Sequence, residues 1–208
     1  MDSTDGQAIV TGRSGAGETR FRLLAAASEL IGESGWGRVT TRAIAERAGL
    51  PHGTVSYHFR GKQELLVEAA QRTVRQMFPM ETLREATSLE DLITAAAAGR
   101  DSARSIGEGG AAAVLMEAMR EGTRDPALRE GLATILLDYR RLVARLVESD
   151  QRQGRISSRA TPELLATLVL AAGDGLWLHS LLDPGLDMAS GVEALMDLIV
   201  RQGSESAP

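Results

Sequence analysis

Residues 38–66, RVTTRAIAERAGLPHGTVSYHFRGKQELL, set the tightest limit on how this chain can fold. Thr40 is placed to cap a helix, its side-chain oxygen accepting one of the orphan amides of the first turn. Ile44, Ala45 and Ala48 then recur on one face at helical spacing. Gly49 follows where the helix must stop and the backbone reverse, and glycine takes positive φ there at little steric cost. Leu50 is an apolar plug, and Pro51 suits a first helical position because its missing N–H is no loss there. The second helix, expected over 51–57, is short, small and polar: His52, Gly53, Thr54, Ser56 and Tyr57, with Val55 to bury. Two short helices across a tight turn make a helix-turn-helix, whose second helix can enter the DNA major groove with its polar face. Lys62 is the only lysine among 23 basic residues. It opens a third helix beside free N–H groups, a good place to meet a phosphate.

At these residues the chain resembles the DNA-binding domain of TetR-type transcriptional regulators, with the pattern T-T-x-x-x-I-A-x-x-A-G-V-S-x-G-T-L-Y-x-Y-F-x-S-K-x-x-L. Thr40, Thr41, Ile44, Ala45, Ala48, Gly49, Gly53, Thr54, Phe59, Lys62 and Leu65 match it. Leu50, Pro51, Val55, Ser56, His58 and Gly61 depart from it. The Ser56-Tyr57-His58-Phe59 run is similar to the Ser-His-Tyr-Phe variant of the betaine-regulator-like branch. The motif resemblance is confined to about residues 17–78; beyond that it is one of architecture.

The charge distribution agrees. The net charge of −5 argues against nucleic acid, yet residues 17–78 carry a balance of +3 and residues 79–208 one of −7. A basic N-terminal part on an acidic remainder suits a DNA reader joined to something that avoids DNA. Nearly exclusive use of Arg over Lys points to a GC-rich bacterial genome.

Three domains are expected: a disordered tail over 1–16, the helix-turn-helix domain over 17–78, and a helical effector-binding and dimerisation domain over 79–208. Residues 12–19, GRSGAGET, mimic a phosphate-cradling loop, but Glu18 stands where that loop needs a lysine. The first helix is expected from 17 to 33, and Trp36 is a candidate core plug. Five of the seven aromatic residues, Phe21, Trp36, Tyr57, Phe59 and Phe78, fall in the small N-terminal domain, which needs bulky anchors.

Further along, the fourth helix spans 62–78, with Pro79 stopping it. Ser88 starts the fifth, and the Ser105–Gly110 stretch breaks the chain before a helix over 111–121. Asp125-Pro126 opens a long helix ending at Gly154, and Thr161-Pro162 opens another over 162–182. This last one is apolar all round, so something must cover every side of it; a second copy of the chain is the simplest cover. A final helix spans 188–202. The fold is therefore all-α, with about nine helices. No cysteine is present, so disulfides and Cys-ligated zinc are excluded. Neither a membrane span nor a secretion signal is apparent, which suits a cytoplasmic protein.

Catalytic chemistry lacks its residues. The three histidines, His52, His58 and His179, fit no H-E-x-x-H motif, and no G-x-S-x-G or S-x-x-K occurs. No catalytic residue, metal site or cofactor is expected. By resemblance, Thr41, Tyr57, His58 and Lys62 fall at or beside phosphate-contacting positions. Arg42 and His52 are long enough to reach base edges, while Thr40, Gly53, Thr54 and Ser56 complete the close face. The resemblance further implies a small-molecule effector pocket, with Leu115, Met116, Met119, Leu136, Tyr139, Trp177 and His179 as candidate lining. It also implies a dimer seam, with Leu164, Leu168, Leu178, Leu181, Leu182, Leu195 and Ile199. The expected partners are double-stranded operator DNA, an apolar or amphipathic effector, and a second copy of the chain. The competing reading is a helical dimer that binds DNA or a protein constitutively, without an effector.

Overall fold

The computed structural model describes residues 8–78, 80–92, 110–183 and 185–204. Every regular element among them is a helix. In order these are α1 (Ala8–Ser34), a 3-10 turn (Trp36–Arg38), α2 (Thr41–Arg47), α3 (Thr54–His58), α4 (Lys62–Met77), α5 (Met80–Glu85), α6 (Ala111–Gly122), α7 (Pro126–Arg152), α8 (Pro162–Ser180) and α9 (Met188–Ser204).

The chain divides into two compact units. The first joins α1–α4 with α6 and the opening turns of α7, as far as Ala133. Its core takes Leu23, Ala27 and Ile31 from α1, Trp36 and Val39, Ile44 from α2, Val55 from α3, Leu65 and Leu66 from α4, and Val114 and Ala118 from α6. The second unit begins at Phe78 and takes the chain up again at Thr134. Leu83, Leu89, Val143, Leu146, Val147, Ile156 and Ala166 close its core. Asp150 is buried there at 3% exposure, yet fully engaged: it accepts from the Leu89 backbone N–H at 2.9 Å and from Arg155 Nε at 2.8 Å. A buried carboxylate is tolerable on those terms.

Helix boundaries follow local chemistry. Thr161 accepts from the Leu164 amide at 3.3 Å with Pro162 just inside α8, and Asp125 accepts from the Leu128 amide at 3.0 Å ahead of α7. Gly154 ends the turn after α7 at φ +68°. Ser88 and Asp91 cap one another's backbone as a helix start requires: the Asp91 amide donates to Ser88 Oγ at 3.0 Å, and Asp91 accepts from the Ser88 amide at 3.1 Å. The rest of the expected fifth helix, the break at 105–109 and Pro79 lie outside the described residues.

The structure differs from the sequence-based expectation at three places. Helix α1 starts at Ala8, so residues 8–16 are helical rather than a disordered tail. Extending an existing helix needs no new nucleus, and the Thr19 hydroxyl donates to the Gly15 carbonyl at 2.7 Å. The glycine-rich 12–19 stretch therefore lies within a helix, not in a loop after a strand. Pro51 is not a first helical position. It sits in the turn before α3, where its carbonyl accepts from the Thr54 amide at 3.0 Å, and the helix begins three residues later than Pro51. Lastly, α5 was not anticipated. Six residues are too short to display a period, and it is held by one anchor, the fully buried Leu83.

Candidate nucleic-acid interface

The reading head is built outward from its buried side. Thr40 Oγ1 accepts from the Ala43 amide at 3.1 Å and starts α2. Ile44 and Ala45 are fully buried and hold that helix to the core. Gly49 turns the chain at φ +62°, a left-handed conformation that suits glycine. On α3, Val55 and the following cap residue Phe59 point inward at 2% and 3% exposure. Four residues apart, they lie on one side of the helix, which leaves His52, Gly53, Ser56 and Tyr57 exposed and Thr54 and His58 half-buried. Tyr57 is 83% exposed, its ring edge-on to His58 with centroids 5.0 Å apart. A core role for Tyr57 is thereby ruled out.

Trp36 behaves oppositely. It is 4% exposed, its backbone N–H donates to Glu117 Oε2 at 2.8 Å, and its indole N–H donates to Gln63 Oε1 at 3.4 Å. It is a core plug, closed to base stacking. The Arg120 guanidinium and the Trp36 amide together hold the Glu117 carboxyl below the usual carboxylate range.

Ion pairing sorts the basic residues of the head. Arg47 is bound to Glu33 and Glu29, tying α2 to α1, and Arg20 to Glu68 while lying over the Phe59 ring at 4.7 Å. Their charges are already met. Arg42 is exposed and, among the described residues, has no ion-pair or hydrogen-bond partner. The Arg60 side chain is likewise exposed and unpaired at the turn between α3 and α4; sequence reasoning passed it over because that position is unspecified in the pattern. Lys62 Nζ donates to the Val39 carbonyl at 3.0 Å, which fixes the ammonium at the start of α4 and leaves two donors. The head thus gathers Thr40, Thr41, Arg42, His52, Gly53, Thr54, Ser56, Tyr57, His58 and Lys62 within one small unit, none of them buried.

The pocket candidates divide between the units. Leu115, Met116 and Met119 lie on α6 in the first, and Leu136, Tyr139, Trp177 and His179 in the second. In the first unit a recess of about 500 Å³ opens between the end of α1, the 3-10 turn and α6, and Met116 lines it beside Glu33, Arg38, Glu117 and Arg120. Met119 and His179 are exposed. In the second unit Tyr139 packs on the core and against Phe78, ring centroids 4.5 Å apart and inclined at 50°. Burial, with the charge of Asp174 added, pushes the Tyr139 phenol up to about 12. The sign follows from linkage: the folded state keeps this proton after the unfolded chain has released it. Stability is therefore unaffected below the ordinary tyrosine pKa of about 10 and falls as pH rises from there. Tyr57 and Tyr139 are the only two tyrosines, so in Tyr57→Phe the phenolate absorbance of the folded protein should appear only near pH 12.

Five of the dimer candidates are exposed large apolar residues of the second unit: Leu164 at 54%, Leu168 at 56%, Leu178 at 48%, Leu181 at 43% and Leu182 at 85%. Leu195 and Ile199 differ. Both are half-buried, and Ile199 packs on its own unit's core; Leu198, not anticipated, is the open position on α9 at 67%. An apolar period shows that a helix has a buried face but not which neighbour buries it.

Comparison with known proteins agrees with this construction. Residues 23–69 match the family model of bacterial regulatory proteins of the tetR family, and residues 86–203 match that of the BetI-type transcriptional repressor C-terminal region. The chain is 25% identical to the HTH-type transcriptional regulator UidR of Escherichia coli over 157 residues, covering 73% of this chain and 76% of UidR. It is 31% identical over 122 residues to an uncharacterized HTH-type transcriptional regulator of Mycobacterium tuberculosis, covering 59% and 62%. Among solved structures it is similar to a transcriptional regulator from Saccharomonospora viridis in complex with choline, with 25% identity, TM-score 0.68 and coverage of 88% and 95%. The SmeT–triclosan complex shares the fold, with TM-score 0.70, 21% identity and coverage of 88% and 92%. No helix among the described residues is long and apolar enough to cross a membrane. With a helix-turn-helix head and a BetI-type C-terminal region, the chain belongs to the TetR family of bacterial regulatory proteins and is a DNA-binding transcriptional regulator rather than an enzyme.

Proposed function

We propose that the protein is a cytoplasmic homodimeric repressor that binds a near-palindromic operator and releases it when a small apolar or amphipathic molecule binds. The observation that carries this reading is an uncovered row along α8. Leu164, Leu168, Ala171, Gly175 and Leu178 follow one another at alternating steps of four and three, the spacing of a helix–helix seam. The leucines are about half exposed, Ala171 is exposed, and a Cβ added at Gly175 would meet nothing within 4 Å. Leucines at the ends with small residues between them suit a close approach by the same helix of a second copy. Two-fold symmetry then sets the two reading helices on half-sites about one helical turn or more apart.

In this reading residues 17–78 are the reading head and the chain beyond it holds the effector and the seam. Helix α4 and its contacts supply the coupling: Gln63 Nε2 donates to Asp125 Oδ2 at 2.7 Å, and Glu117 on α6 holds the Trp36 amide. An effector that favours a displaced α4 changes the spacing of the two heads, and it acts only through its difference in affinity for the two states. That regulators of this fold have been seen with choline and with triclosan supports a small-molecule effector here.

Selection of bound sequences from random DNA, with and without metabolite pools, tests the reading. Enrichment of sites lacking any two-fold repeat would overturn it. Around the helix-turn-helix, Arg42 and Arg60 carry free guanidinium groups, and Lys62 is the fixed phosphate donor. Lys62→Ala is expected to weaken binding evenly across operator sequences and to lower the slope of log affinity against log salt by about 1. Fluorescence anisotropy over a salt series measures both; an unchanged slope would remove Lys62 from the phosphate contacts.

A further inference from the structure

The recess between the end of α1, the 3-10 turn and α6 is lined by charged groups that do not cancel. It measures about 500 Å³, within the usual range for small-molecule sites, and every residue lining it belongs to the first unit. Glu33 is taken by Arg47, whose two guanidinium nitrogens reach its carboxylate oxygens at 2.8 and 2.7 Å. Glu117 is taken by Arg120 at 2.8 Å and by the Trp36 amide at 2.8 Å. Arg38 has no carboxylate. Its Nε donates to the Ser34 carbonyl at 2.7 Å, and among the described residues its side chain has no other partner. That bond orients the guanidinium and leaves both terminal nitrogens open, the pair that grips the two oxygens of one carboxylate. Helix α1 ends here, and the bare carbonyls of a last turn repel an anion. Two of them are already engaged: Arg38 takes the Ser34 carbonyl, and the Gly35 amide donates to the Ile31 carbonyl at 3.0 Å. Ala113 and Met116 on α6 give the recess an exposed apolar wall, and Gly32, Gly35 and Gly37 put no side chain into the space.

We propose that this recess binds a small carboxylate amphiphile, its carboxylate held by Arg38 and its short hydrocarbon part lying on Ala113 and Met116. The charges select the class. With Glu33 and Glu117 each matched by an arginine, the charge of Arg38 is left over, which suits a monoanion. A dianion such as phosphate would bring its second charge near those two carboxylates. The apolar wall offers nothing to a bare anion, whereas it gives a hydrocarbon chain surface to bury, and the Met116 side chain adapts to its shape. A neutral molecule of the same form loses the charged pair. Arg38 stands two residues before the Thr40 cap, so a ligand here touches both α6 and the turn that leads into α2. The site is additional to the effector reading, since Leu136, Tyr139, Trp177 and His179 all lie in the second unit.

The chain has two tryptophans, and the contact of Trp36 with Glu117 places it against the recess. In full-length Trp177→Phe, the emission of Trp36 therefore reports on this site, and the test titrates it with octanoate, octanamide and inorganic phosphate. Octanoate is expected to bind saturably and at least about ten-fold more tightly than octanamide or phosphate, the low end for a charge-assisted pair because Arg38 is exposed. Adding Arg38→Gln should cost octanoate about that factor and leave octanamide unchanged. Ala113→Phe fills the recess from α6 with Arg38 intact, and should weaken octanoate and octanamide alike. Both positions are exposed, and thermal melts check that the variants fold. Unchanged Trp36 emission, equal affinity for octanoate and octanamide, or full octanoate affinity in either variant would each overturn the site. Phosphate binding as tight as that of octanoate would overturn the class of ligand. The titrations contain no operator, so their failure leaves the effector-release reading standing, and a failure of effector release leaves this site standing.

Discussion

Replacing Leu168 and Leu182 together by glutamate is expected to turn the proposed dimer into monomers and to lower operator affinity by a factor of about 10² to 10⁴. The two side chains are 56% and 85% exposed in the single chain, so placing charge there disturbs no packing within the unit. The helix content and the far-ultraviolet spectrum should stay the same. In the seam each leucine would lose the roughly 1.5–3 kcal/mol that burying such a side chain contributes. Each glutamate would also carry a charge into an apolar seam, where its desolvation adds to the cost. The affinity loss has a separate origin. Two heads on one dimer make the second half-site contact intramolecular, and a monomer forfeits that effective concentration. Light scattering coupled to size exclusion reads the mass, and anisotropy with a full and a half operator reads the affinity. A double variant that remains dimeric would place the seam elsewhere; one that is monomeric with undiminished full-site affinity would show that dimerisation is irrelevant to binding.

The second large effect is expected in the head itself. Trp36→Ala should destabilise the first unit by about 3–5 kcal/mol, the range for truncating a large buried aromatic. Trp36 is 4% exposed and sits where the 3-10 turn, α4 and α6 meet. Its loss leaves a cavity bounded by α1 and α4, helices that stay fixed by Leu23, Ile31, Leu65 and Leu66. Trp36→Phe should recover most of the packing and lose only the weak indole bond to Gln63, so its melting temperature should lie much nearer the wild type. Glu117→Gln separates packing from coupling. It keeps an acceptor for the Trp36 amide but abandons the charge shared with Arg120, an ion pair whose arginine is exposed and whose glutamate is half-buried, so only a modest loss of stability is expected. A Trp36→Ala protein that melts like the wild type would mean the turn is not part of the cooperative core.

The local chemistry of the chain was legible residue by residue. Thr40, Asp125 and Thr161 were readable as caps because a cap is a bond between residues two or three apart. Gly49 was readable as a reversal because the need for positive φ is a property of one residue. The family pattern over residues 38–66 carried the helix-turn-helix, and the all-round apolar character of residues 162–182 required a second cover for α8. Where two local rules competed, the sequence misled. Pro51 suits a first helical position, but the turn from Gly49 had not yet finished, and the helix waited for Thr54.

What the tertiary structure decided involves residues far apart in the chain. Arg20 and Arg47 look the same as Arg42 in the sequence, yet the first two are bound to Glu68 and to Glu29 and Glu33, whereas Arg42 is exposed and unpaired among the described residues. Packing joined α6 to the reading head, because Val114 and Ala118 complete a core whose other members lie before residue 71 or at Leu128. On α9, Ile199 went inward and Leu198 outward. For α8 the sequence by itself determined that both faces of this helix need cover. Only the folded unit divided them into an exposed row with Leu164, Leu168 and Leu178 and an inner row in which Ala166 and Leu170 pack on their own core. Periodicity counts apolar positions along one helix, whereas what lies opposite each position is set by the other helices that pack around it.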